Sequence, residues 1–214
     1  MTLAITPADL ASSIVSELGG SESKVDMMIG IGLNKESDAV YFQYLGEEQK
    51  PSALMMPSGK PCTKMANIRL VGLDVADDIG EFKSTKLNLF VESSAGRTLM
   101  LTSGLNTIWS QCLITSLMGL FNDGTLSDAF TLDTWKGTSK MRPCFAAVRQ
   151  SGNKVSDQMM YDQLRDLRTL RDTDKLLAVM RDAVQILNAA VTGGPVEDAV
   201  VSVEEPTVVT NGDF

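Results

Sequence analysis

Residues 85–102 read TKLNLFVESSAGRTLMLT, and the fold prediction starts from this stretch. In residues 85–91 every second side chain is leucine or valine, which is the period of two that a β-strand with one buried face shows. Residues 93–96 have the composition of a turn, and residues 97–102 return to a strand pattern. The stretch therefore predicts two strands joined by a short turn.

Three further strands and a helix surround this pair in the sequence. Strand patterns cover residues 68–75, 129–135 and 144–149, and an apolar helical face runs through residues 106–121. The order over residues 67–150 is three strands, a helix and two strands, as in an OB-fold, a five-stranded Greek-key barrel. SH3-like barrels and cystatin-like sheets accept a similar series of short strands and stay as alternatives. We expect a mainly β protein with helices, of the α+β class.

Composition divides the rest of the chain. An additional hairpin is predicted before the barrel at residues 27–45, and residues 46–66, which hold three prolines, predict a loop. The predicted parts are an N-terminal helix (residues 1–23), the OB-like domain with its hairpin (24–155), C-terminal helices (156–192) and a disordered acidic tail (193–214).

The composition excludes several classes of enzyme. No histidine occurs among the 214 residues, which removes imidazole bases, Ser-His-Asp and Cys-His catalysis and histidine-ligated metals. The three cysteines form no C-x-x-C pair, and neither glycine-rich phosphate-binding motif occurs. A metal-dependent nuclease would need two or three acids to converge on Mg²⁺, and the sequence gives no sign that the candidates converge: Asp74, Asp78, Glu92 and Asp133. We therefore expect no catalytic residue, no metal and no cofactor.

Two further features bear on the compartment. No stretch approaches the roughly 20 apolar residues that span a bilayer, and residues 1–18 lack the basic start and apolar run of a signal peptide. Three thiols without a pairing pattern are typical of a reducing compartment. These features predict a cytoplasmic protein without membrane contact.

The acidic charge lies mostly at the two ends of the chain. The net charge is −8, yet residues 24–155 hold 14 Lys and Arg against 13 Asp and Glu. Residues 193–214 hold five acids and no base, whereas residues 134–156 hold five bases and no acid. A basic segment followed by an acidic tail indicates a polyanionic partner.

Strand alternation predicts which side chains of this region share the outer face. Aromatic rings interleaved with cations suit single-stranded nucleic acid, since bases stack on rings and cations neutralise phosphates. The alternative is that Phe90 and Phe145 pack beneath the C-terminal helices. Tyr41, Phe42 and Tyr44 extend the stacking surface or pack in an interface, and the sequence leaves both open. The candidate binding residues are Lys86, Phe90, Trp135, Lys136, Lys140, Arg142, Phe145 and Arg149.

The basic loop between the last two predicted strands, the helices after it and the acidic tail ending Gly212-Asp213-Phe214 resemble phage and bacterial single-stranded DNA-binding proteins. The resemblance covers residues 67–150 by pattern and 195–214 by composition. It implies that Asp213 and Phe214 bind replication or recombination proteins, and that the tail competes with DNA for the basic groove. It also implies a bacterial or phage-infected cell. The valine-rich tail, with a single acid in its last nine residues, departs from the family's pattern.

The expected function is sequence-nonspecific single-stranded DNA binding in replication or recombination, with RNA as a possible ligand and a homo-oligomer as the expected assembly. The alternative is a non-enzymatic interaction or structural protein, for example a phage assembly protein, in which the C-terminal helices form the oligomer.

Overall fold

The computed structural model describes residues 25–45, 50–79 and 83–193. These residues form one sheet of nine strands and three helices, which confirms the α+β class. The predicted N-terminal helix at residues 1–23 and the predicted tail at residues 194–214 lie outside the described residues.

The strand bounds follow the predicted pattern most closely where apolar residues alternate. The nine strands are β1 Met27–Ile31, β2 Tyr41–Leu45, β3 Lys50–Ala53, β4 Lys64–Ile79, β5 Ser84–Glu92, β6 Thr98–Gly104, β7 Phe130–Lys136, β8 Cys144–Gln150 and β9 Asn153–Val155. The predicted hairpin appears as the antiparallel pair β1 and β2.

The strands do not form a closed five-stranded barrel in the described part of the chain. Their order is β3-β2-β1-β6-β5-β4-β7-β8-β9, and every neighbouring pair is antiparallel except β1 and β6, which are parallel. Strand β1 lies beside β6 and strand β9 lies beside β8, so β6 and β8 do not pair. The predicted extra hairpin is therefore an integral part of the sheet.

Strand β4 connects the two halves of the sheet. Its first residues pair with β7, and the residues from Arg69 onward pair with β5. The register shifts between Met65 and Ile68, where Asn67 adopts a positive φ of 55°. Such a bulge bends a strand, and asparagine tolerates this backbone conformation better than most residues. The bend lets one strand serve two partners.

The sheet curls so that strands far apart in its order meet. The Tyr41 hydroxyl on β2 donates to Thr134 Oγ1 on β7 at 2.7 Å, although four strands separate them. The core occupies the inner side of this curve and is filled by large side chains such as Trp109 and Phe130. Alternation then places the opposite side chains of β7 and β8 on the outer face.

Three helices complete the core: α1 Ile108–Asn122, α2 Gln158–Leu170 and α3 Thr173–Thr192. Helix α1 begins at Thr107, whose side chain accepts from the Ser110 amide, an N-cap arrangement that satisfies one of the free donors of the first turn. Helix α3 lies against β4, where Asn188 Oδ1 accepts from the Leu73 amide at 3.1 Å. The Leu73 N–H thereby gains an acceptor in the part of β4 that no longer pairs with β7.

Strands β3 and β9 and the first residues of β4 were not predicted. Residues 46–66 were expected to form a loop, but β3 and the start of β4 lie there. Strand β3 is mostly exposed, so it lacks the alternation that reveals a strand. It contains Pro51, which is tolerated because β3 lies at the edge of the sheet. Strand β9 has only three residues, too few to show a period. Across the described residues, no helix has the length and apolar character that a bilayer crossing requires.

Candidate nucleic-acid interface

An exposed aromatic pair marks the outer face of β7 and β8. Trp135 and Phe145 are directly opposite each other in the register of the two strands. Their ring centroids are 5.8 Å apart and their planes differ by 14°, so the rings are stacked. Trp135 is 43% exposed, a large fraction for a tryptophan. Its indole therefore offers a flat apolar surface supported by a second ring.

Basic side chains flank the pair on the same face. Arg149 lies four residues along β8 from Phe145, a distance of about 13 Å. Lys154 on β9 is directly opposite Arg149, and Lys64 on β4 is directly opposite Asp133. We call this set the Trp135 surface: Trp135, Phe145, Arg149, Lys154 and Lys64.

Asp133 holds two of these cations in place. Its carboxylate accepts from Arg149 Nε at 2.7 Å and lies 4.0 Å from Lys64 Nζ. All three side chains are partly exposed, so water screens these pairs and each contributes little to stability. The three cations and one acid leave a net positive charge on the Trp135 surface.

The loop between β7 and β8 borders this surface. The Gly137 amide donates to the Pro143 carbonyl at 2.8 Å, which closes the base of the loop. A side chain at Gly137 would lie 2.8 Å from the Phe145 ring, so the absence of a side chain there lets the loop lie against the ring. Lys140 and Met141 are exposed at the tip of the loop.

Two predicted phosphate-binding cations are engaged with the loop between β1 and β2. Lys136 Nζ donates to the carbonyl of Asn34 at 2.5 Å and to that of Ser37. Burial lowers the pKa of the Lys136 ammonium. Arg142 is paired with Asp38. Neither cation is free in this structure, which sequence alternation alone does not reveal.

Two other predicted residues lie away from the Trp135 surface. Lys86 pairs with Ala76 on β4, whereas Trp135 lies level with the residues just before Lys64. Strand β5, which carries Lys86, is a neighbour of β4 and β6 and not of β7 or β8. Phe90 is 5% exposed, so its ring faces are not presented to a ligand. Lys86 and Phe90 therefore do not join the Trp135 surface in this structure.

The inner face of β7 carries a buried polar cluster that the sequence did not reveal. Thr134 Oγ1 accepts from the Tyr41 hydroxyl at 2.7 Å and from Trp109 Nε1 at 3.0 Å. All three residues are at most 1% exposed. Burial raises the pKa of the Tyr41 phenol, which keeps it protonated as a donor. The cluster fixes β2, α1 and β7 together, and so orients the strand that carries Trp135.

The remaining aromatic residues of the hairpin are mostly inside. Tyr41 and Phe42 are buried, and Tyr44 is half-buried. Burial raises the pKa of the Tyr44 phenol. Tyr41 packs in the core of its own chain, and the use of this hairpin in stacking or in an interface stays a prediction.

The other predictions concern metals and the tail. Among the residues that the structure describes, no group of three or more His, Cys, Asp or Glu side chains is arranged to hold a metal ion. Asp213 and Phe214 lie outside the described residues, so their predicted partner binding stays a prediction. Comparison of the chain with protein-family models, with curated proteins and with solved structures found no match.

Lys64 and Lys154 are the members of the Trp135 surface that the candidate set lacked. Both lie in exposed segments without alternation, and only the strand register places them opposite Asp133 and Arg149. The available signal was the absence of acids from residues 134–156, which includes Lys154.

Proposed function

We propose that this protein binds single-stranded DNA without sequence preference, and that the Trp135 surface is the binding site. The observation that carries the proposal is the exposed Trp135 ring stacked on Phe145 and flanked by cations. Stacking on an aromatic ring contributes about 1–3 kcal/mol per base and tolerates every base. A surface that binds by stacking and by phosphate neutralisation has no means of reading sequence.

The order of the elements supports the same proposal. Strands β4, β5 and β6, helix α1 and strands β7 and β8 follow one another as in an OB-fold, and β4 pairs with both β5 and β7. In this comparison with an OB-fold, β6 and β8 correspond to the two strands that pair to close the smaller barrel. The hairpin of β1 and β2 then lies between them. The loop between β7 and β8 is then the loop between the fourth and fifth barrel strands, one of those that frame the ligand in that fold.

Phosphate contacts are assigned to the free and partly free cations. Lys154, Lys64 and Arg149 belong to the Trp135 surface and Lys140 to the loop that borders it, and Lys64 and Arg149 exchange Asp133 for phosphate when the strand binds. Each phosphate neutralised on a single strand changes the logarithm of the binding constant by about −0.7 per logarithm of salt. Four contacts, less the one counterion that the released Asp133 carboxylate takes up, predict a slope of about −2.

The experiment compares two lysine variants that change the charge identically. Lys154→Gln removes a cation from the Trp135 surface, and Lys86→Gln removes one from β5, which does not pair with β7 or β8. Binding of oligo-dT is measured by electrophoretic shift across salt concentrations. We expect Lys154→Gln to make the slope about 0.7 less steep and Lys86→Gln to leave it unchanged.

A third variant tests stacking. Trp135→Ala is expected to weaken oligo-dT binding roughly tenfold or more, because it removes the exposed ring. Absence of binding by the unmodified protein at low salt, or equally strong binding of duplex DNA, overturns the proposal. Tighter binding of oligo-U than of oligo-dT would redirect it to RNA.

One observation favours the alternative function, an oligomeric interaction protein. Met159 and Leu170 on α2 are 83% and 75% exposed, and their spacing of eleven residues places them on the same helix face. Contact between copies through α2 would cover them. Sizing of Met159→Ser/Leu170→Ser against the unmodified protein tests this: loss of an oligomer together with unchanged oligo-dT binding assigns α2 to assembly.

The tail is proposed to modulate binding. Its five acids, tethered to the domain that carries the basic surface, compete with a weakly bound strand because tethering raises their local concentration. Deletion of residues 196–214 is expected to tighten oligo-dT binding at low salt, and unchanged affinity would remove the tail from the proposal.

A further inference from the structure

Five consecutive residues, 34–38, each place an oxygen on one of two cations of the loop between β7 and β8. The carbonyls of Asn34 and Ser37 accept from Lys136 Nζ. The carbonyls of Lys35 and Glu36 lie 3.3 and 3.4 Å from Arg142 Nη1, and Asp38 Oδ1 lies 2.5 Å from Arg142 Nη2. The loop between β1 and β2 thus surrounds both cations with oxygen atoms.

This loop is shaped by its own hydrogen bonds. Asn34 Oδ1 accepts from the Glu36 amide at 2.9 Å and from the Ser37 amide at 3.3 Å, and Ser37 Oγ accepts from the Ala39 amide. These local bonds turn the backbone so that its carbonyls face away from the turn centre. The arrangement offers Arg142 a carboxylate and two neutral oxygens, the same kinds of acceptor that a phosphodiester offers.

The two cations are held differently. Lys136 contacts two neutral carbonyls and is partly withdrawn from water, which lowers the pKa of its ammonium. Arg142 is paired with a full negative charge, and the Asp38 side chain is 82% exposed. The hydrogen bond to Arg142 and the charge of its guanidinium lower the pKa of the Asp38 carboxyl, so that carboxyl is ionised at neutral pH. An exposed ion pair exchanges partners readily.

Arg142 belongs to the loop that borders the Trp135 surface. It directly precedes Pro143, whose carbonyl accepts from Gly137 at the base of the loop, and Gly137 lies against the Phe145 ring. The guanidinium is therefore carried by the loop that borders the stacked pair. Its present partner, Asp38, is the acid that a phosphate there would have to replace.

We propose that Asp38 is a built-in competitor for a phosphate-binding site on Arg142. In the free protein the Asp38 carboxylate occupies the guanidinium, and a phosphate of the bound single strand displaces it. Lys136 keeps its contacts with the loop and anchors it during the exchange. This inference rests on the proposed function, because it assigns a regulator to the same binding surface.

The test uses two variants that remove one negative charge from the same loop. Asp38→Asn releases Arg142, whereas Glu36→Gln removes a carboxylate that forms no ion pair among the described residues. Oligo-dT affinity is measured across salt concentrations for both. We expect Asp38→Asn to bind about threefold tighter than Glu36→Gln, and its salt slope to be steeper by about 0.7, because no released carboxylate takes up a counterion when the phosphate binds Arg142.

A double variant shows whether the gain passes through Arg142. In the Arg142→Gln background, Asp38→Asn is expected to give no gain, because the cation that it releases is missing. Equal affinities of Asp38→Asn and Glu36→Gln, or a gain that persists in the Arg142→Gln background, overturn the inference and leave the proposed function standing. Absence of oligo-dT binding in every variant, including the unmodified protein, overturns the proposed function and the inference with it.

Discussion

Replacement of Thr134 by valine tests how the hairpin of β1 and β2 is fastened to the strand that carries Trp135. Valine keeps the shape of threonine but cannot accept a hydrogen bond. The Tyr41 hydroxyl and Trp109 Nε1 would both lose their partner in a fully buried setting. Leaving a buried donor unpaired costs about 1–3 kcal/mol, so the two together predict a loss of about 2–6 kcal/mol in the free energy of unfolding.

The loss is large compared with the stability of a typical domain, about 5–15 kcal/mol. Urea unfolding followed by circular dichroism measures it. Thr131→Val is the matched control, because Thr131 lies on the same strand, is half-buried and faces outward. We expect the control to change the free energy of unfolding by less than about 0.5 kcal/mol.

A second variant distinguishes loss of the hydrogen bond between Tyr41 and Thr134 from general damage to the core. Tyr41→Phe removes one of the two donors, so the Thr134→Val substitution should cost less in that background than in the unmodified protein. Equal costs in the two backgrounds would refute the role of the 2.7 Å hydrogen bond. A cost of Thr134→Val no larger than that of Thr131→Val would refute the buried cluster altogether.

Two further predictions concern pH and packing. Burial raises the folded-state pKa of Tyr41 above its unfolded value of about 10, so its contribution to stability is complete below pH 10 and is lost as pH rises above it. The fall in the free energy of unfolding from pH 8 to pH 11 should therefore be smaller for Tyr41→Phe than for the unmodified protein. An equal fall in the two proteins would contradict the assignment. Gly119 lets α1 approach residues 155–157, where an added Cβ would lie 2.9 Å from Val155 and 3.0 Å from the Ser156 backbone. Gly119→Ala is thus expected to lower the melting temperature, because overpacking costs about 1–3 kcal/mol and outweighs the better helix propensity of alanine. A rise in melting temperature would contradict the close approach of α1 to residues 155–157.

The sequence predicted those elements in which burial of one face produces a regular pattern of apolar side chains. The alternation in residues 85–91 and the helical period in residues 106–121 arise from burial of one face, and β5 and α1 lie within two residues of those bounds. Strand β3 is exposed and short, so nothing in its composition distinguishes it from a loop. The parallel pairing of β1 with β6 is a contact between segments about seventy residues apart, which no local pattern encodes.

The candidate site was predicted in part for the same reason. Alternation places Trp135, Phe145 and Arg149 on the outer face of β7 and β8, because that rule needs only the strand itself. It cannot tell that Phe90 is buried or that Lys136 and Arg142 bind the loop at residues 34–38, since those facts depend on distant segments. The count of charges identified the basic segment, but it could not show that oxygen atoms of residues 34–38 accept hydrogen bonds from Lys136 and Arg142.

The most direct test of the central claim uses the two tryptophans as reporters. Trp109 is 1% exposed and hydrogen-bonded within the core, whereas Trp135 is exposed on the proposed binding surface. Titration with oligo-dT at low salt is expected to quench part of the tryptophan emission in the unmodified protein and none of it in Trp135→Phe, with the quenching reversed by added salt. Quenching that persists in Trp135→Phe, or no quenching in the unmodified protein, would contradict the placement of single-stranded DNA on the Trp135 surface.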